Sequence, residues 1–277
     1  MQSSNPVFTR SAGFNGRSTA NAYGDRTYPG NGISYPAYGT AGSAGGTYAG
    51  PSAPSYVDEG PMTIDTVVQK TGITLGLLVL AAAATWILLP PGLYPLAMGA
   101  ALVGMGLGFV VSFKRVVNPG LVVAYALVEG VFLGAVSRVF ENAYPGIVGN
   151  AVIGTMVAFA GTLAAYKFFN ISVTPKFRKF VVIASFGFVG LVLLDFVLGL
   201  FGLPFGWNEF GLIGFVASVV GLVLGVLMLV LDFDYVERGI AARLPARESW
   251  RAAFGLTVTI VWLYIELLRI LAILRGD

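Results

Sequence analysis

The sequence predicts an all-α polytopic membrane protein: seven transmembrane helices behind a disordered N-terminal tail. Three observations predict it. Of 277 residues, 56% are hydrophobic and only 11% charged, whereas soluble domains carry about 25% charged residues. Seven apolar runs of bilayer length follow one another between residues 71 and 274. The basic residues fall in alternate connections between those runs.

Residues 1–60 are set apart by composition. "YPGNGISYPAYGTAGSAGGTYAGPSAPSY" is built from Gly, Ser, Ala, Tyr and Pro. It cannot bury enough apolar surface to offset the entropy of ordering, so disorder is expected. Its spaced tyrosines, among them Tyr23, Tyr28, Tyr35 and Tyr38, are candidate contacts for membrane-protein partners. The opening "MQSSNPVFTR" lacks the apolar core of a signal peptide.

Residues 61–277 form the transmembrane domain. In "MTIDTVVQKTG" Thr63 is positioned to cap a helix that leads into the first run. The runs are about 71–89, 93–113, 119–140, 146–169, 180–200, 209–231 and 251–274. They are too long for strands and lack period-two alternation. The breaks are "LLPPGLYP", "FKRVVNPG", "ENAYPG", "NISVTPKFRK", "GLPFGWNE" and the segment after Leu231. "AMGAALVGMGLGF" and "GLIGFVASVVGLVLG" carry Gly99, Gly104, Gly106, Gly108, Gly211, Gly214, Gly221 and Gly225. Small residues at such spacing allow close helix packing in lipid.

Arg10, Arg17, Arg26 and Lys70 precede the first run. Lys114 and Arg115 lie in the second connection, Lys167, Lys176, Arg178 and Lys179 around the fourth, and Arg238, Arg243, Arg247 and Arg251 around the sixth. The first, third and fifth connections hold no Lys or Arg. The positive-inside bias then expects a cytoplasmic N-terminus, an external C-terminus and an inner or plasma membrane. The high isoelectric point reflects these loops, not a nucleic-acid-binding patch.

The chain has no Cys and no His. Disulfides and the usual zinc, haem and copper sites are excluded, as is His-based catalysis. No intramembrane serine–histidine or paired-aspartate arrangement is evident, so no enzyme and no cofactor are expected. The expected partners are the bilayer and an ion, Ca²⁺ or a proton.

Ionisable residues within spans are costly and mark functional sites. They are Glu129, Arg138, Asp195, Glu266 and Arg269, with Asp232, Asp234, Glu237, Lys114 and Arg115 at span ends. At about 1.5 Å per residue, Glu129 lies near mid-membrane, and Asp195 and Glu266 lie in the outer half. Arg138 and Arg269 stand slightly further out and are placed to neutralise them. Asp232 and Asp234, at the end of the sixth run, are expected at the inner surface, where their carboxylates are candidate Ca²⁺ ligands. The candidate ion path or pH sensor is therefore Asp232, Glu129, Glu266 and Asp195, with Lys114, Arg115 and Arg269 as basic partners. Asp234 and Glu237 read first as solvated helix ends, Asp232 reads equally as either, and an i,i+3 ion pair explains Glu266 with Arg269 at least as well as a transport site.

"LVLDFDYVERG" in the sixth run, "LYIELLRILAIL" in the seventh and "ALVEGVFLGAVS" in the third together resemble the Bax inhibitor-1 family, also called the transmembrane Bax inhibitor motif or YccA-like family. "SSNPVF" and the Tyr/Gly-rich tail resemble a bacterial subgroup. The resemblance implies a seven-helix fold with the last helix central. It also implies a pH-sensitive calcium leak sensed by aspartates of helices 6 and 7, with a basic residue of helix 2 pairing with the former. Asp232 matches the sixth-helix acid, and Lys114 or Arg115 its partner. In the seventh helix one alignment puts Glu266 at the acid position and another puts Thr259 there. The rival expectation is a non-transporting scaffold that modulates a membrane protease or envelope complex.

Overall fold

The computed structural model describes residues 60–169 and 171–276. The disorder expected of the tail falls on residues 1–59, outside the described residues.

The described residues form seven α-helices: α1 (Ile64–Leu88), α2 (Tyr94–Phe113), α3 (Pro119–Ala143), α4 (Ile147–Phe168), α5 (Pro175–Leu200), α6 (Leu212–Ala241) and α7 (Glu248–Gly276). Six of them are long and apolar enough to cross a bilayer, and in α2 the qualifying apolar stretch is the shorter Gly99–Phe113. The helices satisfy their own backbone groups, as a lipid surround requires. Their outward side chains, such as Leu80, Ile87, Phe113 and Phe168, are apolar and exposed. This is a multi-pass membrane protein.

Local chemistry sets the starts. Thr63 Oγ1 accepts from Thr66 N at 3.2 Å, and Thr66 Oγ1 accepts from Thr63 N at 3.0 Å, a reciprocal cap for α1. Asn118 and Thr174 cap α3 and α5, each followed by a proline whose missing N–H is no loss in the first turn. The Glu141 carboxylate, at the end of α3, accepts from Gly146 N and Val148 N and so caps α4 across the turn.

Several helices outrun their apolar stretches. α1 starts at Ile64, α5 at Pro175 and α7 at Glu248, while α6 continues to Ala241 rather than ending near Leu231. Caps account for the early starts of α1 and α5. In α6 the polar residues past Leu231 are themselves partnered: Asp234 by Arg178 and Arg238, and Glu237 by the Tyr166 hydroxyl. The helix ends at Ala241, two residues before Arg243, whose φ of 49° is left-handed, with Pro245 beyond.

α7 is the central helix, packed on α1, α3, α4 and α6. Leu263 and Leu268 are fully buried there. The closest approach is between α1 and α3. A methyl on Gly130 would collide with Leu78 O, and one on Gly134 with Ala82 O. These glycines form a GxxxG face that lets two backbones touch. By contrast α2 packs on α3, and α5 on α6, at the edges of the bundle.

The charged connections meet at one end. Met62 N donates to Leu244 O at 2.6 Å and Lys70 Nζ to Ala246 O at 2.5 Å, tying the start of α1 to the α6–α7 loop. Arg251 donates to Lys114 O and Arg115 O in the α2–α3 loop, and Arg178 pairs with Asp234 at 2.9 Å. At the opposite end Arg275 donates to Pro145 O and Arg269 to Trp207 O. One face of the bundle is therefore basic, and the loops of the other carry no Lys or Arg.

Candidate functional site

The extension of α6 changes where Asp232 stands. It lies nine residues before the helix end, about 14 Å above the basic face, and not at the surface. Glu129 lies ten residues into α3, about 15 Å above the same face. The sequence placed Glu129 alone at that depth. The two carboxyls are instead level with each other, and both line one cavity of about 420 Å³ bounded by α2, α3, α6 and α7. α2 and α6 do not pack on each other.

Each carboxyl is given room by a glycine of the neighbouring helix. A methyl on Gly104 of α2 would sit 2.5 Å from Glu129 Oε2, and one on Gly255 of α7 would sit 3.1 Å from Asp232 Oδ1. Asp232 Oδ2 accepts from Thr259 Oγ1 at 2.7 Å. The wall between the acids is apolar and aromatic. It includes Met228 and Tyr125, whose ring meets Phe254 edge-on at 5.0 Å. Glu129 is 8% exposed, and among the described residues it forms no salt bridge.

Of the two residues alignable with the seventh-helix acid, Thr259 is the one that faces Asp232. Glu266 is seven residues further along α7, about 10 Å nearer the end opposite the basic face. It is buried beside Gly221, 3.7 Å from Arg269, and its Oε2 has no hydrogen-bond partner among the described residues. Arg269 also donates to Trp207 O at 2.9 Å.

The remaining residues singled out in the sequence lie elsewhere. Asp195, 2% exposed, accepts from Phe205 N and Asn208 N, both at 2.8 Å, and so anchors the α5–α6 loop. Arg138 stacks over the Trp86 ring, and among the described residues it forms no salt bridge with either outer acid. Asp234 leaves α6 on the side away from Asp232, toward Arg178. The side chains of Lys114 and Arg115 are exposed at the basic face, and the carbonyls of that loop are held by Arg251. Among the described residues no three acidic side chains gather as a metal cluster.

Sequence reasoning passed over Gly104 and Gly255 as site residues. Gly104 was visible only as one of several glycines in a run, and nothing in its spacing marks it as the one beneath Glu129. The cavity brings two acidic side chains from separate helices to one lining.

Over residues 5–276 the chain matches the family model described as Bax inhibitor 1 like. No curated protein matches it.

Proposed function

The chain belongs to the Bax inhibitor 1 like family, and from that premise we propose that it is a cation leak pathway, with calcium as the ion and carboxyl protonation as the gate. The observation that carries this reading is that Glu129 and Asp232 line one cavity inside the span. Ionisable residues at that depth are costly and mark ion routes. Here they come from two helices that the sequence separates by a hundred residues.

The cavity's 420 Å³ has room for on the order of ten waters. Ca²⁺ takes six to eight oxygens, and two carboxyls supply only part of that set. An ion there keeps most of its water and is held loosely, as passage requires. Acidification neutralises the carboxyls, removes their hold on a cation and shifts the balance between two arrangements of the helices around the cavity. Glu266 is a second stop, nearer the end opposite the basic face.

We place the basic face in the cytoplasm of a plasma or inner membrane, because basic connections are retained on that side. The C-terminus is then outside. No covalent chemistry is assigned to the protein. Its partners are the bilayer, Ca²⁺ or protons, and membrane proteins that meet the tail.

The test is Ca²⁺ flux into proteoliposomes at two pH values, about pH 6 and about pH 8. Wild type, Asp232→Asn and Glu129→Gln are compared. Flux that depends on pH and is altered in both variants supports the leak. Flux no greater than in empty liposomes, at either pH, overturns it and leaves the scaffold reading.

A further inference from the structure

A second and larger cavity, about 1330 Å³, lies on the other side of the bundle. It forms because α1 and α4 do not pack on each other, while α6 and α7 close the gap behind them. Its walls are apolar along most of their length, with Val68 of α1 and Met156 and Leu163 of α4 exposed into it. Along α4 it reaches from Thr155 to Lys167, about 18 Å. Half of a bilayer's hydrocarbon core is about 15 Å. The groove thus spans one leaflet, beginning at the basic face and ending near mid-membrane.

Its chemistry changes at the basic face. Lys167 and Arg238 line the mouth. Arg238 and Arg178 both engage the single carboxylate of Asp234, and Glu237 is occupied by the Tyr166 hydroxyl. Lys167 has neither an ion pair nor a hydrogen bond among the described residues. Three cations thus face two carboxylates that already have partners. The guanidiniums keep N–H donors to spare, since each carries five. A leaflet-long apolar slot with unspent positive charge at its headgroup end is complementary to an anionic lipid.

We propose that this groove binds one anionic phospholipid of the leaflet on the basic side. An acyl chain lies between α1 and α4, and the phosphate rests at Lys167 and Arg238. The site is separate from the cavity of Glu129 and Asp232, and the proposal stands whether or not the protein conducts.

The experiment uses the full chain in vesicles of equal phosphatidylcholine and phosphatidylglycerol, gently extracted, with retained lipid identified by native mass spectrometry. Wild type is expected to retain phosphatidylglycerol in preference to phosphatidylcholine. Lys167→Ala, at an exposed and unpaired side chain, should lower that preference about fivefold, the size of one lysine's attraction to an anionic surface. Leu163→Trp fills the slot and should remove the retained lipid of both kinds, with helix content and melting unchanged. Equal retention of the two lipids by wild type overturns the proposal, as does a Lys167→Ala variant with wild-type preference. Retention that appears only after deletion of residues 1–59 also overturns it, because the tail is then the occupant.

Discussion

Thr259 of α7 donates a hydrogen bond of 2.7 Å to Asp232 of α6. A hydroxyl therefore meets the α6 acid where the family resemblance implied a second carboxyl. The bond spans two helices and ties the acid to the central one, so it should be felt in stability. Thr259→Val keeps the shape and loses the donor. It is expected to destabilise the folded protein by about 1–3 kcal/mol, read by denaturation in detergent. Thr259→Asp installs the missing carboxyl. Two carboxylates in contact repel once both are ionised, so this variant should match Thr259→Asn in melting temperature at acidic pH and fall below it as pH rises. Parallel curves would show that the two side chains do not touch.

Gly104 lies beneath Glu129, with room for no more than a hydrogen on its Cα. Gly104→Ala is expected to push the Glu129 carboxyl aside and change Ca²⁺ flux in the direction of Glu129→Gln. Gly106→Ala, two residues along the same helix and with nothing near its Cα, should leave flux as it is. Equal effects from both would place the glycine requirement in α2 as a whole and not at the acid.

Asp195 separates architecture from transport. Its two oxygens accept from two backbone N–H groups of the α5–α6 loop. Asp195→Ala strands both donors, at about 1–3 kcal/mol for each left unsatisfied. Asp195→Asn keeps one acceptor and should cost less. Flux per folded molecule is expected to stay at the wild-type level in both, and a selective loss of flux would return Asp195 to the ion path.

The fold was largely legible in the sequence, because lipid leaves few solutions. Length, apolarity and alternating basic loops are one-dimensional properties, and they gave the helices, their order and the sharing of one face by the charged connections. Helix ends were less legible. Hydropathy stops at Leu231, but backbone bonding and the partners of Asp234 and Glu237 carry α6 on to Ala241. That ten-residue difference moved Asp232 from the surface to the level of Glu129. The meeting of these two acids depends on the rotation of α3 and α6 about their axes. No local pattern encodes that rotation when a helix is apolar nearly all round. The GxxxG of Gly130 and Gly134 was a readable signal that the reading of the sequence passed over.

Shared lining of one cavity makes Glu129 and Asp232 neighbours in energy as well as in space, and Glu266 supplies the control. Groups that share a cavity couple, whereas groups well apart with no shared partner have additive effects within about 0.5 kcal/mol. In a double-mutant cycle on Ca²⁺ flux, Glu129→Gln with Asp232→Asn is therefore expected to be non-additive. Once one acid is neutral, the cation has already lost the paired site, and the second substitution removes less. Glu266→Gln with Asp232→Asn should combine additively, because Glu266 sits about two turns away, beside Arg269. If instead Asp232 couples to Glu266 and not to Glu129, the ion crosses between α6 and α7 alone, and the cavity beside α2 is a bystander.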